Sequence, residues 1–403
     1  MKNLESLKKI KKAQKIIKIL KKQGFEAFIV GGAVRDYLLN IKIDQDIDIT
    51  TNALSQDINV IFQSKNYAHY GSVKIIFEEE NFEITTYREE GVYFNNRHPS
   101  EIFFIQEAQK DIIRRDFTIN ALLMDEKGQI FDFTTGKLDL EQKILRTISN
   151  PFISFYKDAL RIMRAFYFQA KLNIKIEHQT KKALKTQSHL LTKISYQRIY
   201  EYLQKIITYP NWQNSFKTII NTKTHLYLKA ITRSIIFFAS LDIITIKTLK
   251  IERYLEENIF WSISLAFDKN IFLFWPINAK NKNKYQTLII LSNNIFEDLK
   301  FNLFKYGLQN CLLSYKINYL LSHQKSKHLF SQNLNNIQKT YKNLPLKDIK
   351  DLKICWKEIL PKIINPLHPP IKEIKKKLLQ AVLNQKIPNQ KEVLMEFVLN
   401  QKY

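Results

Sequence analysis

Val30-Gly31-Gly32-Ala33-Val34-Arg35-Asp36, followed by Asp46-Ile47-Asp48, is the stretch of sequence that decides the fold. The apolar run from Phe25 to Val30 predicts a short buried strand, and the two glycines after it begin a helical pattern that ends near Asn40. Glycine has no Cβ, so a turn built from it can approach a triphosphate closely, and the N–H groups at a helix start favour anions. Gly31 and Gly32 therefore predict a phosphate-binding turn.

The two aspartates that follow predict a metal site. Asp46 and Asp48 lie in the stretch Asp-Ile-Asp-Ile-Thr, whose alternation predicts a half-buried strand with residues two apart on one face. Two carboxylates beside a phosphate site repel each other unless a divalent cation joins them, and oxygen ligands suit Mg²⁺. Either feature alone is more often an ordinary turn, so the prediction depends on their combination.

The combined pattern resembles a known family. Gly-Gly-x-x-Arg-Asp, then Leu38-Leu39-Asn40, then Asp-Ile-Asp at this distance is similar to the head of the class II tRNA nucleotidyltransferase and bacterial poly(A) polymerase family, within the polymerase β superfamily. The resemblance implies an α+β fold, in which a small five-stranded mixed-sheet head precedes an all-α neck, body and tail. It also implies that Gly31, Gly32 and Arg35 bind the nucleotide, and that Asp46 and Asp48 are catalytic metal ligands.

The resemblance adds a third catalytic carboxylate, Glu83, in the strand-like stretch from Asn81 to Arg88. On spacing alone, an edge-strand glutamate that faces water is an equal alternative. In the family, Mg²⁺ ions held by these carboxylates would lower the pKa of the attacking 3′-hydroxyl and stabilise charge on the α-phosphate and the departing pyrophosphate.

A second match is the run from Arg114 to Leu122, which contains the pattern Arg-Arg-Asp-x-x-x-Asn. In the family this pattern lies against the ribose and phosphates of the nucleotide. The match implies that Asp116 and Asn120 bind the sugar hydroxyls, and that Arg115 and its neighbour hold anions. Alternatively, Asp116 simply starts a helix, although that interpretation leaves the adjacent arginines unexplained.

A third match, Lys157-Asp158-Ala159-Leu160-Arg161 with Arg164 beyond it, lies in the helical second part of the chain. Asp158 and Arg161 are three residues apart and would share a helix face, where an ordinary ion pair is the simplest interpretation. The family instead uses this acceptor and donor as a template, because cytosine and adenine each present an amino donor beside a ring-nitrogen acceptor. Its usual pattern is Glu-Asp-x-x-Arg, from which Lys157 departs.

Composition is compatible with an RNA-binding enzyme. The 403 residues include 63 Lys and Arg against 38 Asp and Glu, a net charge of +25, which favours a partner rich in phosphates, although an AT-rich genome would also enrich lysine. Two isolated cysteines, Cys311 and Cys355, and the lack of a long apolar stretch predict a cytoplasmic protein without a membrane partner.

Glycine placement predicts the domain organisation. Seven of the eight glycines lie between Gly24 and Gly136, and tight turns between strands need glycine more than helix connections do. We therefore predict a head over residues 1–140 that includes a basic N-terminal helix over 1–22. A helical neck that recognises the nucleotide base is predicted over 141–210, and a helical body and tail that bind tRNA over 211–403.

These features predict an enzyme that adds C, C and A to the 3′ end of tRNA from CTP and ATP, with Mg²⁺ as cofactor; the oligomeric state stays open. A bacterial poly(A) polymerase shares all three matches, but Tyr70-Gly71-Ser72-Val73 favours the tRNA type. An enzyme that adds only C and C is disfavoured by the intact loop from Arg88 to Pro99. A non-catalytic RNA-binding remnant is suggested by Lys157, and by Gln197 and Tyr202, which stand where acids are usual.

Overall fold

The computed structural model describes residues 4–64, 71–91, 101–322, 326–363 and 370–401, and the backbone alone of 93–94 and 98–99. Tyr70 and the side chains of the loop beyond Gly91 lie outside the described residues. The sequence features that favoured the tRNA type and disfavoured an enzyme adding only C and C therefore stay predictions.

The chain forms two compact units. The first consists of Met1–Leu241, Glu252–Leu255 and Phe274–Pro276, and the second of Asp242–Ile251, Glu256–Leu273 and Ile277–Tyr403. The predicted division of the chain at residues 140 and 210 stays a prediction. Among the described residues, no helix is both long enough and apolar enough to cross a membrane.

All the described strands belong to the first unit. They are β1 Ala27–Val30, β2 Ile47–Thr51, β3 Ser72–Phe77, β4 Glu80–Thr86, β5 Arg88–Glu90, β6 Tyr93–Phe94, β7 His98–Pro99, β8 Ile102–Phe104, β9 Leu122–Met124, β10 Ile130–Asp132, β11 Ile144–Leu145 and β12 Lys175–Ile176. Six of them form a mixed sheet in the order β10-β9-β1-β2-β4-β3, in which only β2 and β4 are parallel neighbours. The remaining strands form the pairs β5-β8, β6-β7 and β11-β12.

The sheet has six strands where five were expected. The edge strand β10 follows β9 through a tight turn, in which Asp125 Oδ1 accepts the N–H groups of Lys127 and Gln129 at 2.9 and 2.7 Å. These bonds close the turn between β9 and β10, and Gly128 supplies the positive φ of 86° that the turn requires. The predicted α+β class, a mixed-sheet head followed by helices, is confirmed.

Helices complete the first unit and build the described part of the second. They are α1 Leu4–Lys22, α2 Gly32–Leu38, α3 Ser55–Phe62, α4 Ala108–Ile113, α5 Gly136–Glu141, α6 Pro151–Lys157, α7 Leu160–Leu172, α8 His178–Gln187, α9 Tyr196–Ile207, α10 Trp212–Asn221, α11 Thr232–Ser240, α12 Ile243–Leu249, α13 Glu257–Phe267, α14 Ile271–Phe274, α15 Ala279–Asn294, α16 Leu299–Leu321, α17 Lys327–Lys342, α18 Trp356–Ile363, α19 Ile371–Leu383 and α20 Lys391–Leu399. A kink at Gly307, with φ 79°, divides α16 into two helical parts.

Strand periodicity explains which side chains face the core. In β2, Ile47 and Ile49 are buried whereas Asp48 between them is exposed, and in β4 Phe82 and Ile84 are buried on either side of the half-buried Glu83. Successive strand residues point to opposite faces, so burial of the isoleucines and the phenylalanine directs the acidic side chains away from the core.

One predicted helix begins later than the sequence indicated. Helical structure was expected from Asp158, but α6 ends at Lys157, Asp158 is its C-cap, and α7 begins at Leu160. The cause is local, because Asp158 Oδ1 accepts the N–H of Leu160 at 3.0 Å and so replaces a helical hydrogen bond at the junction. Asp158 and Arg161 therefore do not lie three apart along one continuous helix.

Candidate active site

A cavity of about 500 Å³ in the first unit collects most of the predicted site residues. Those that line it are Gly31, Gly32, Arg35, Asp48, Arg115, Asp116, Asn120, Asp158, Arg161 and Arg164. Asp46 and Glu83 are not among its lining residues. Arg114, the predicted anion-holding neighbour of Arg115, lines it as well. Residues that sequence reasoning had not assigned to the site complete the lining, namely Gln45, Arg88, Glu90, Leu160, Tyr167, Phe168, Arg198, Tyr202 and Lys205.

The parallel pairing of β2 with β4 puts two of the predicted carboxylates side by side. Asp48 and Glu83 are direct partners in the register, so both project from the same face of the sheet. Lys74 of the edge strand β3 is the next partner along the same row. The edge-strand alternative for Glu83 does not hold, because β4 lies between β2 and β3.

The surroundings of Asp48 disfavour the ionised form of its carboxyl group. Burial beneath the surrounding protein raises the pKa of its carboxyl to about 6; Arg115 opposes this shift, whereas Glu83 and Asp46 add to it. Asp48 keeps an exposed surface because it lines the cavity, but the surrounding protein atoms replace much of the hydration of its carboxyl group. A cation at this place would relieve the repulsion.

Because Gly31 has no side chain, the space between the carboxylate of Asp48 and the guanidinium of Arg115 is open. The φ of Gly31, 77°, is one that other residues rarely adopt. A Cβ placed there would lie 3.6 Å from Asp48 Oδ2 and 3.9 Å from Arg115 Nη1, at the cavity surface. Arg115 Nε is buried and has no hydrogen-bond partner among the described residues. A polar ligand between Gly31 and Arg115 would satisfy it.

The acidic residues fit a shared rather than a complete metal site. Within the described part of the chain, no group of three or more His, Cys, Asp or Glu side chains could hold an ion by itself. Mg²⁺ usually keeps several waters and binds one or two carboxylates together with substrate phosphates. The oxygen donors of Asp48 and Glu83, beside a cradle lined by glycine and arginine, match this mode of binding.

Asp111 is an organising residue that sequence reasoning missed. Its fully buried carboxylate accepts hydrogen bonds from Arg114 at 2.7 and 2.9 Å and from Arg115 at 3.0 Å. It also accepts from Thr50 Oγ1 and from the N–H of Arg88, both at 3.2 Å. Burial opposes ionisation, but the two arginines dominate and lower the pKa of Asp111. The spacing i, i+3, i+4 from Asp111 on α4 to the arginine pair directly after the helix was the available signal.

Asp116 forms a second buried network. It accepts from Arg164 Nε at 2.6 Å and from Asn120 Nδ2 at 3.1 Å, and Asn120 in turn accepts from Arg35 Nη1. Burial alone would raise the pKa of Asp116, yet Arg164 and Arg161 lower it. The lowered pKa favours the carboxylate form of Asp116, and the hydrogen bonds orient both Asp116 and Asn120 before any nucleotide arrives. Asp116 precedes a short 3₁₀ turn, Thr118–Asn120, and does not start an α-helix.

Arg35 is more enclosed than a simple phosphate clamp. The guanidinium is buried, forms an ion pair with Asp36 at 2.7 Å and lies over the Phe168 ring at 5.1 Å. Lys171 of α7 reaches the other oxygen of Asp36 at 2.8 Å. These contacts join the glycine turn at the start of α2 to the helix that carries Arg161 and Arg164.

Asp158 and Arg161 are separately held and face the same cavity. Arg161 donates to Ser154 Oγ at 2.7 Å and to the backbone oxygens of Arg114 at 2.8 Å and Arg115 at 3.4 Å. The Arg161 N–H donates to the backbone oxygen of Asp158 at 3.1 Å, but among the described residues neither an ion pair nor a hydrogen bond joins their side chains. Burial raises the pKa of Asp158, against the opposing effect of Arg161. The ion-pair alternative is therefore wrong.

Helix α9 closes the cavity with residues of unexpected type. Tyr202, at a position where an acid is usual, accepts a hydrogen bond from Arg164 Nη1 at 3.0 Å. Lys205 Nζ lies 5.2 Å from the centre of the Tyr202 ring, and Arg198 also lines the cavity. Gln197, the second unusual residue, instead bonds to the neighbouring Glu201 on the exposed side of the helix.

Family models match three parts of the chain. The Poly A polymerase head domain matches residues 27–146, the RNA and SrmB-binding site of polymerase A matches 173–232, and tRNA nucleotidyltransferase domain 2 matches 262–398. The first of these spans the six-stranded sheet, the glycine turn and the pair Arg114 and Arg115.

Complete relatives extend the similarity to nearly the whole length. The CCA-adding enzyme of Staphylococcus haemolyticus is 32% identical over 94% of this chain and 95% of its own, and that of Streptococcus uberis is 30% identical over 95% and 94%. The crystal structure of the Bacillus stearothermophilus CCA-adding enzyme in complex with CTP superposes with a TM-score of 0.81 at 25% identity, covering 97% of each chain. The chain belongs to the CCA-adding enzyme family of nucleotidyltransferases.

Proposed function

We propose that this chain adds C, C and A in turn to the 3′ end of tRNA, with CTP and ATP as substrates. The observation that carries the proposal is a single cavity lined by Asp48, by several arginines and by the pair Asp158 and Arg161. A carboxylate that can bind a metal, arginines that can bind phosphates and groups that read the base are the three components that nucleotidyl transfer without a nucleic-acid template requires.

In the transfer itself, the terminal 3′-hydroxyl gives up its proton to solvent while its oxygen forms a bond to the α-phosphorus. The bond from that phosphorus to the bridging oxygen of the β-phosphate breaks, and pyrophosphate leaves. The glycine turn at Gly31 and Gly32 admits the triphosphate, and Arg115 supplies hydrogen bonds to its charge. Asp116 and Asn120 accept and donate to the ribose hydroxyls from positions fixed by Arg164.

Asp46 and Asp48 are the residues that would hold a divalent metal together with the substrate phosphates, with Glu83 as the third carboxylate beside them, and Mg²⁺ is our proposal for the metal. When bound, the metal would lower the pKa of the attacking hydroxyl and stabilise charge on the leaving pyrophosphate. The carboxylates contribute three oxygen-donor groups on or beside β2 and β4, and Asp48 and Glu83 are direct partners across these strands.

Base selection is assigned to Asp158 and Arg161. One oxygen of Asp158 caps Leu160, which leaves the other to accept the amino group of cytosine or adenine. Arg161 is fixed by two backbone carbonyls and Ser154, and its remaining N–H groups can donate to the ring nitrogen. Uracil and guanine present the opposite order of donor and acceptor, so the pair would reject them.

Purified protein, Mg²⁺ and tRNA transcripts that end before CCA, after the first C and after the second C test the proposal. Each transcript is offered CTP, ATP or both, and products are resolved by length. We expect C on the first two, A on the third, and no addition after A. A long tail from ATP alone would indicate a poly(A) polymerase, and arrest after two C residues would indicate a CC-adding enzyme. Binding without any addition would indicate a non-catalytic remnant.

A further inference from the structure

The second unit contains a cavity of its own, of about 700 Å³. It is formed by the first part of α16, by α19 and by the segment that follows α17. Its lining residues are Phe301, Phe304, Lys305, Lys347, Asp348, Ile349, Lys372, Glu373, Lys375, Lys376 and Leu379. We call it the lysine cavity, because five of these residues are lysines and only two are acids.

The positive charges converge on an aromatic ring. The ammonium groups of Lys305 and Lys376, which come from different helices, each lie 5.9 Å from the centre of the Phe301 ring. Two cations placed at one ring repel each other, so an anion between them is favoured. Of the two acids, Asp348 already caps a turn by accepting the N–H of Lys350 at 2.8 Å.

The floor of the cavity is apolar. Phe301 and Phe304 are half-buried, Leu379 is buried, and the lysine stems extend this surface towards the rim. A ligand that fits must therefore combine a flat apolar part with negative charge at its edge. A nucleotide has this combination, because its base can stack on an aromatic ring while its phosphates meet lysines.

We propose that the lysine cavity binds an unpaired nucleotide of the tRNA substrate. The base lies against Phe304 and Phe301, and the flanking phosphates contact Lys305, Lys372 and Lys376. The inference deepens the proposed function, because it takes tRNA as the RNA that the chain handles. An acidic peptide would supply charge without a base, and it is one of the alternatives that the experiment separates.

Affinity for tRNA is measured on the full-length protein without nucleoside triphosphates, so the result does not depend on catalysis. Phe304→Ala should weaken tRNA binding about tenfold, because loss of one base-stacking contact is of that order. Phe304→Trp, which keeps a stacking surface, should retain the affinity. Heparin, a polyanion without bases, should bind Phe304→Ala and the unmodified protein equally.

The charge contribution is tested by the triple variant Lys305→Gln, Lys372→Gln and Lys376→Gln. The slope of log affinity against log salt should become shallower by about two, because each neutralised phosphate contributes about 0.7 to 0.9. The matched control replaces three exposed lysines of the same unit outside the cavity, Lys247, Lys280 and Lys339, and should leave the slope unchanged. Thermal unfolding of each variant establishes that it is folded.

A folded Phe304→Ala variant with unchanged tRNA affinity would overturn the proposal. Equal losses for tRNA and heparin, or an equal change of slope in the control triple, would overturn it as well, since either result indicates charge without a nucleotide site. If the protein binds tRNA with the expected dependences but adds no C or A, the lysine cavity stands and the proposed function fails.

Discussion

Two groups of carboxylates lie at the same cavity, and they differ in the charge of the side chains next to them. Asp111 and Asp116 are buried among arginines, which lower the pKa of each. Asp48 faces the cavity with Glu83 beside it, and the pKa of Asp48 is raised to about 6. Among the described residues, Asp48 and Glu83 make no ion pair, whereas Asp111 pairs with Arg114 and Arg115.

This difference separates groups that are satisfied within the protein from groups that need a ligand. A paired acid fixes the direction of its arginines, which can then meet an anion without reorganisation. An unpaired acidic row is unstable by itself and gains from a cation. The cavity thus combines paired arginines with an unpaired carboxylate, an arrangement that fits the triphosphate and the metal of the proposed function.

The largest expected effect follows from removing charge in the unpaired group. Asp48→Asn should reduce turnover by roughly a thousandfold or more, since loss of metal-supported stabilisation of the transition state costs several kcal/mol at 1.36 kcal/mol per tenfold. Steady-state C addition at saturating Mg²⁺ measures this effect. Affinity for tRNA should barely change.

The matched control is Asp125→Asn, a buried aspartate that caps the β9-β10 turn and lies outside the cavity. It should keep nearly all activity. Retention of more than a tenth of the turnover in Asp48→Asn would contradict the metal-site assignment.

The second effect concerns the paired group. Asp111→Asn removes the buried counter-charge of Arg115 and one of the two that Arg114 has, the other being Glu90, so the free energy of unfolding should fall by about 3 kcal/mol. Displacement of the arginines by about 1 Å should lower kcat/KM for CTP roughly a hundredfold. Denaturant titration and initial rates measure the two changes.

The same variant has a pH signature. Because the folded state lowers the pKa of Asp111, its stabilising contribution is present above about pH 4 and is lost as the pH falls through the folded pKa. Asp111→Asn should therefore lose less stability than the unmodified protein between about pH 5 and pH 3. An identical acid dependence in both proteins would argue against the paired assignment.

Sequence patterns predicted the unpaired group better than the paired one. Asp48 lies in a short motif in which apolar and polar residues alternate, and this alternation predicts the sheet face on which it lies. The family resemblance identified Glu83, but it did not predict the strand register that makes Glu83 the neighbour of Asp48. The spacing of Asp111 to Arg114 and Arg115 was visible, but its other partners, Thr50 and the backbone of Arg88, are 61 and 23 residues away in sequence, and such contacts leave no periodic signal.

The positions of Asp158 and Arg161 at the junction of α6 and α7 were also only partly predictable. The sequence placed Asp158 and Arg161 together, but it placed Asp158 inside a helix, whereas a side-chain hydrogen bond to Leu160 makes it a junction residue. Tyr202 was flagged as an unusual residue, yet its bond to Arg164 depends on the packing of α9 against α7. Tertiary contacts of this kind cannot be read from spacing.

A third, smaller effect tests whether Asp158, like the unpaired carboxylates, is an acid that binds a ligand. Asp158→Ala should reduce the preference for CTP over UTP by roughly ten- to a hundredfold, because a discriminating hydrogen bond is worth about 1–3 kcal/mol. Since burial raises the pKa of Asp158, the preference should also decline on mild acidification as the acceptor is protonated. Measurement of kcat/KM for all four nucleotides decides, and an unchanged preference would contradict the template assignment.

The smallest effect sharpens the comparison at the edge of the paired group. Tyr202→Phe removes the hydroxyl that Arg164 bonds at 3.0 Å but keeps the ring beneath Lys205, so Arg164 retains Asp116 as its anchor. A single hydrogen bond contributes about 0.5–1.5 kcal/mol net, so KM for CTP should rise about two- to tenfold with kcat little changed. Tyr202→Glu introduces the acid usual at this position and should leave KM near that of the unmodified protein, because a carboxylate can accept from the same guanidinium. A large fall in kcat in Tyr202→Phe would instead mean that Tyr202 contacts the reacting nucleotide, and the boundary between the two groups of side chains would then have to include α9.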